Sequence, residues 1–155
     1  MNKDAFIPKG YNTVIPALTF RGADAALKWY VNVFNAKEKM RFENPDKTIA
    51  HAEITIGDSV IMLSEENPEY NQSPKTLNGN SVNLHMYVPD VDATIKKAES
   101  NRAHVVDPVK DQFYGDRSGR IEDPFGYLWI ISTHIKDVSE AEMKKAMKEM
   151  QLQSA

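Results

Sequence analysis

Along this chain the spacing of apolar residues switches between a period of two, which suits a strand, and a period near 3.6, which suits a helix. Residues 13–20 are rich in β-branched side chains and close on Arg21-Gly22, which predicts a strand, with Pro16 favouring an edge or irregular position. From Ala23 to Asn35 the residues Ala26, Leu27, Tyr30, Val31, Val33 and Phe34 follow the stripe of an amphipathic helix, and Asn35 suits a left-handed cap. Short strands around 37–42 and 49–56 come next, separated by the turn-forming Glu43-Asn44-Pro45-Asp46. Ile56-Gly57-Asp58-Ser59 then reads as a tight hairpin turn into Val60-Ile61-Met62-Leu63, which completes a βαβββ order.

Residues 64–80 contain two prolines and little periodicity, as a linker or loop would. After them the order recurs. A strand is predicted over 82–88, and Pro89-Asp90 opens a helix whose stripe is Val91, Ile95 and Ala98. Strands follow over 103–106 and around Ile121, then a turn at Asp123-Pro124-Phe125-Gly126 and a last strand over 127–133. Phe20 and Tyr87, like Ala36 and Ala103, are 67 positions apart, and Gly57 and Gly126 are 69 apart, which suggests an internal duplication. The expected layout is one domain over 1–155, with a first module at about 11–64, a linker at 65–81, a second module at about 82–134 and a helix at about 139–152. Ser139-Glu140-Ala141-Glu142 has the form of a capping box for that helix. Its stripe of Met143, Ala146, Met147 and Met150 would pack on its own domain or against a second copy.

Composition narrows the function. The 155 residues are ordinary for one domain, and 19 basic against 22 acidic side chains give a formal charge of −3, with no basic surplus to hold a phosphate backbone. Nucleic acid is therefore not an expected partner. No cysteine is present, which excludes disulfides and thiolate metal sites and agrees with a cytoplasmic address. The opening residues lead into no apolar run of signal-peptide length, and nothing approaches the ~20 apolar residues of a membrane span, so no membrane role is expected.

The sequence holds no phosphate-loop, dinucleotide-binding, zinc-protease or hydrolase-elbow motif. Side-chain alternation offers a different constellation. His51 and Glu53 share one face of their strand, and Asn83 and His85 share one face of theirs. If both faces lined one concavity, these four would meet there as acid, base and hydrogen-bonding groups. Alternatively both faces meet solvent, while Ala52, Ile54, Leu84 and Met86 form the core. Phe113, Tyr114 and Arg117 form a second cluster, in a glycine-containing loop between Asp111 and Asp123. The rings would gate a pocket and Arg117 would clamp a carboxylate, or the loop is ordinary and its Asp and Arg residues pair with each other. His104 and His134, near strand ends, are read as structural or solvated.

These motifs together resemble the glyoxalase/bleomycin-resistance superfamily, the vicinal oxygen chelate proteins, and more narrowly its PhnB-like or demethylubiquinone-methyltransferase-like branch. The resemblance rests on residues 25–30 (through Trp29-Tyr30), residues 51–58 (through Gly57-Asp58), residues 84–88, residues 111–117 and Asp123-Pro124-Phe125-Gly126, and it runs from about Tyr11 to about Met143. It implies an α+β fold of two βαβββ modules whose curved sheets form a cup, commonly in a homodimer, here with a C-terminal helix. Metal-dependent members place ligands on the first strand and a late strand of each module. Carried onto this chain, those positions are Ile15, Glu53, Asn83 and Ile130, of which only Glu53 is a good metal ligand.

The expectation is therefore a metal-independent protein, without cofactor, that binds a small molecule through His51, Glu53, Asn83, His85, Phe113, Tyr114, Arg117, Ile15 and Ile130. The alternative is a lyase or isomerase that uses Glu53 as base with His51 or His85 assisting, with or without a noncanonical divalent ion. In a partly apolar cup the Glu53 pKa would tend upward, and a protonated histidine beside it would oppose that.

Overall fold

A computed structural model describes residues 6–153, so the first five residues, part of the opening stretch in which no signal peptide is expected, lie outside it. The chain divides into two compact units, Met1–Ser81 and Val82–Ala155, and both begin with the same βαβββ order.

The first unit contains β1 (Ala17–Phe20), α1 (Ala23–Phe34), β2 (Lys37–Glu43), β3 (Ile49–Ile56), β4 (Ser59–Glu65) and a short helix α2 (Pro74–Leu77). Its sheet runs β1-β4-β3-β2, with β1 parallel to β4 and the other neighbours antiparallel. The first strand is shorter than the pattern predicts. Pro16 has no amide hydrogen to give a ladder, although its carbonyl still accepts a 2.9 Å bond from the Met62 amide, so residues 13–16 lead in without pairing as strand. Helix α1 buries Ala26, Leu27, Tyr30, Val33 and Phe34, and the sheet offers Leu18, Phe20, Ala52, Ile54, Ile61 and Leu63 in return. The Phe20 and Tyr30 rings meet edge-on at 5.9 Å. Each such large apolar side chain, fully buried, contributes about 1.5–3 kcal/mol of transfer free energy. The helix stops at Asn35, left-handed at φ 54°, whose amide bonds back to the Tyr30 carbonyl. Within the expected linker, α2 forms because Ser73 caps the Thr76 amide and Pro74 stands in the first turn.

The second unit contains β5 (Asn83–Tyr87), α3 (Val91–Ser100), β6 (His104–Asp111), β7 (Asp116–Glu122), β8 (Leu128–His134) and α4 (Glu140–Gln153). Its sheet repeats the first in the order β5-β8-β7-β6. Asp90 caps α3 by accepting from the Ala93 amide, and Val91, Ile95 and Ala98 are its buried face, as the stripe predicts. Strand β6 runs on to Asp111, beyond the expected end near Val106. The register slips on either side of Asp107 let it pass Pro108, which cannot donate to a ladder. Strand β7 starts at Asp116, so part of the expected aromatic loop is strand. The turn before β8 is held by buried Asp123, which accepts from the Phe125 and Tyr127 amides and from the Trp129 indole. At α4 the capping box forms: Ser139 Oγ accepts from the Glu142 amide while the Glu142 carboxylate accepts from the Ser139 amide. Among the described residues no helix is long and apolar enough to cross a membrane.

Candidate functional site

Strand alternation decides which side chains leave the helix-covered side of each sheet. In the first unit Ala52 and Ile54 turn toward the buried layer, so His51 and Glu53 lie on the opposite face. The register sets Met62 and Met40 beside Glu53, and Phe42 beside His51. Glu53 is nevertheless 4% exposed, because other parts of the unit cover it. The Tyr11 hydroxyl, from the chain before β1, donates a 2.6 Å hydrogen bond to Glu53 Oε2. Lys39 Nζ stands 3.2 Å from the same oxygen and 3.5 Å above the centre of the Tyr11 ring. His51 Nε2 lies 3.3 Å from Glu53 Oε1, and its ring stacks against Phe42. Lys39 reaches this face through a β-bulge: Glu38 pairs with Ile54 and Met40 with Glu53, which leaves Lys39 as the extra residue between them.

Burial pushes the Glu53 carboxyl up, but the Tyr11 hydroxyl, His51 and Lys39 outweigh it and hold the group below the usual carboxylate range. Glu53 is thus an anion with its oxygens occupied, at the edge of a cavity of about 430 Å³. Phe6, Ile7, Pro8, Ile15 and Met62 supply its apolar walls, and Tyr11 stands beside the carboxylate. A larger cavity of about 700 Å³ lies among Asn44, Thr48, Asn67 and Tyr70, but its carboxylates already serve the fold. Glu65 caps α1 through the Gly22 and Ala23 amides, and Thr76, the Ser73 amide and Arg21 pull Glu66 down to about 2.

In the second unit Asn83, His85 and Ile130 share the face turned away from α3. His85 Nε2 lies 2.8 Å from Ser132 Oγ, and the His85 ring stacks on Tyr87 at 5.0 Å. The Tyr87 hydroxyl donates to Asp116 Oδ2 at 2.8 Å, and His134 Nδ1 lies 2.8 Å from Asp116 Oδ1. Burial again raises Asp116, but His134 and Tyr87 bring it below the ordinary range. Tyr114 and Ile130 line a cavity of about 370 Å³ together with Arg120, Lys110 and Gln112. Phe113 meets the Tyr114 ring edge-on at 5.3 Å. Arg117 goes elsewhere. It occupies the α3 side, where Asp92 takes its Nε and Nη2 and Asp111 its Nη1, so the fork expected to clamp a ligand is filled by two of the chain's own carboxylates. His134, read from sequence as structural or solvated, bridges Asp116 and Asp137.

Tyr11, Lys39, Met62, Ser132, Asp116 and Arg120 were not among the expected site residues. Parity could have supplied Met62 and Ser132; Tyr11 and Lys39 depend on a chain crossing and a bulge that leave no periodic trace. The residues at the four positions of the family's metal pattern do not fit a divalent ion. Ile15 and Ile130 carry no donor atom, and the Glu53 carboxylate is already neutralised by the Lys39 ammonium. Among the described residues, no group of three or more His, Asp or Glu side chains is gathered to hold a metal.

Known proteins agree with this architecture. An uncharacterised protein of Mycobacterium bovis is 35% identical over 136 residues, covering 85% of this chain and 90% of its own. The crystal structure of TioX from Micromonospora sp. ML1 superposes with a TM-score of 0.63 at 25% identity, over 80% of this chain and 99% of that one. A putative 3-demethylubiquinone-9 3-methyltransferase, the PhnB protein of Bacillus cereus, shares the fold with a TM-score of 0.63 at 16% identity, over 79% and 99% of the two chains. Residues 15–131 carry the family pattern from the lead-in of β1 to β8, and with the repeated sheets they show that the chain belongs to the Glyoxalase/Bleomycin resistance protein/Dioxygenase superfamily.

Proposed function

We propose that this protein binds a small molecule without a metal ion, in the cavity between its N-terminal segment and the first sheet. One observation carries the proposal: a buried, ionised carboxylate, Glu53, borders a cavity whose other walls are largely apolar. Apolar walls with one fixed polar group are the usual construction of a small-molecule site. The same geometry weighs against Glu53 as the general base of a lyase or isomerase. A carboxylate held below its ordinary pKa by a hydroxyl, an imidazole and an ammonium group, each within 3.3 Å of its oxygens, is a weak base.

This reading includes a homodimer, for which the family pattern is the support, and a cytoplasmic address, for which the cysteine-free composition is the support. The test is a thermal-shift screen of a metabolite library, followed by native mass spectrometry and product analysis of each hit. The proposal predicts stoichiometric complexes with unchanged compounds, abolished by Ile15→Trp, which fills the cavity. Turnover of a hit would transfer the assignment to the enzyme reading.

A further inference from the structure

Lys39 occupies the environment that a positively charged ligand would need. Its ammonium nitrogen is 3.5 Å from the centre of the Tyr11 ring and 3.2 Å from Glu53 Oε2, so an aromatic face and a buried carboxylate hold one cation between them. That pairing is a recurrent solution for binding ammonium groups. Resting on the small-molecule reading of this cavity, we infer that its ligand carries a cationic nitrogen on an apolar body, and that Lys39 is the stand-in this cation displaces.

Lys39 can leave cheaply. It is the bulged residue of β2, the edge strand of its sheet, and its side chain is 31% exposed, so the flexible stem can swing its ammonium into water. Displacement by another cation keeps the charge balanced. Glu53 would exchange one positive partner for another and never stand buried without one, the state that costs most. An anionic ligand would meet Glu53 as a like charge, and a neutral one would gain the apolar walls of Phe6, Ile7, Pro8, Ile15 and Met62 and the neighbouring Asn12 and Thr13, but no charge contact with Glu53. Those walls account for the apolar body, and Glu53 with Tyr11 accounts for the charge.

The test is isothermal titration calorimetry at neutral pH with three probes that share a phenethyl body: 2-phenylethyltrimethylammonium, its neutral, water-soluble near-isostere 2-methyl-4-phenylbutan-2-ol, and 3-phenylpropionate. On the wild-type protein the ammonium probe should bind about tenfold tighter than the neutral probe, in line with a partly desolvated cation–π and carboxylate contact, and the carboxylate probe weakest. Lys39→Met, which removes the competing cation, should tighten the ammonium probe by a further ~tenfold and the neutral probe by clearly less, so that the ratio between them widens. Equal binding of ammonium and neutral probes to wild type, in a site blocked by Ile15→Trp, overturns the inference and leaves the cavity reading standing, however Lys39→Met behaves. No binding by any probe at millimolar concentration overturns both.

Discussion

The Tyr11 hydroxyl donates a 2.6 Å hydrogen bond to Glu53 Oε2, which ties the chain ahead of β1 to the middle of β3 across 42 residues. The contact covers a carboxylate that strand alternation alone would have left open to water. It also joins two segments that line the same cavity.

Tyr11→Phe keeps the ring and removes this donor. Hydrogen bonds to ionised groups are worth more than neutral ones, so the variant should lose about 1–2 kcal/mol in urea denaturation. The Glu53 carboxyl should titrate higher than in wild type, because the first of the groups that oppose its burial is gone. Carboxyl-carbon NMR titration of the two proteins checks the direction.

Arg117→Ala separates the observed geometry from the clamp expected of that residue. Since the guanidinium pairs with Asp92 and Asp111 on the α3 side, the variant should bind any cavity ligand with unchanged affinity and lose only a little thermal stability. A large loss of affinity, measured by calorimetry, would restore the clamp.

The βαβββ repeat was legible because every buried helix and strand had to declare its face through apolar spacing. Asn35 and Ser139 were legible because helix ends need particular local chemistry. Glu53 and His85 could be nominated from parity, but their partners could not. Tyr11 arrives from a segment with no periodic signal, and Lys39 depends on a bulge that changes parity between Glu38 and Met40. Arg117 stands in a stretch without apolar alternation, where parity says nothing. Strand β7 begins at Asp116, and from there Asp116 and Ser118 take one face and Arg117 the other. The apolar signal that would have revealed this is missing, because Gly119 fills a position on the α3 side that the end of the Ile95 side chain crowds.

The two glycines of that strand region should respond differently to alanine. At Gly119 a new Cβ would meet the end of the Ile95 side chain at 2.6 Å, which can turn aside, and the Asp107 carbonyl and Val109 side chain at 3.1 Å, which need give only a few tenths of an ångström, so Gly119→Ala should cost about 1–3 kcal/mol. At Gly115 φ is +96° and the Cβ would strike the Lys136 backbone carbonyl, which cannot yield while the Ile135 and Lys136 amides both bond to the Gly115 carbonyl. Gly115→Ala should be the more destabilising of the two in paired urea unfolding curves.

His134 gives the fold a pH dependence whose sign is set by its partners. Asp116 first and Asp137 second raise its pKa above the ordinary 6.5, so their stabilisation is complete below that pH and is lost as pH rises through the raised value. Asp116 is depressed below 3.8, so its share is present above that value and is lost as pH falls through the lowered one. Melting temperature should therefore plateau between these limits. His134→Gln should flatten the alkaline fall above about pH 6.5, as differential scanning calorimetry across a pH series would show.

Methyl NMR of the protein labelled at isoleucine and methionine, titrated with the best hit of the thermal-shift screen, is the most direct measurement. If the cavity beside Glu53 is the binding site, the Ile15 and Met62 methyls shift and saturate at one equivalent, the Ile95 and Ile121 methyls stay still, and the compound is recovered unchanged after prolonged incubation. Shifts confined to the second unit, or the appearance of a product, would contradict that assignment.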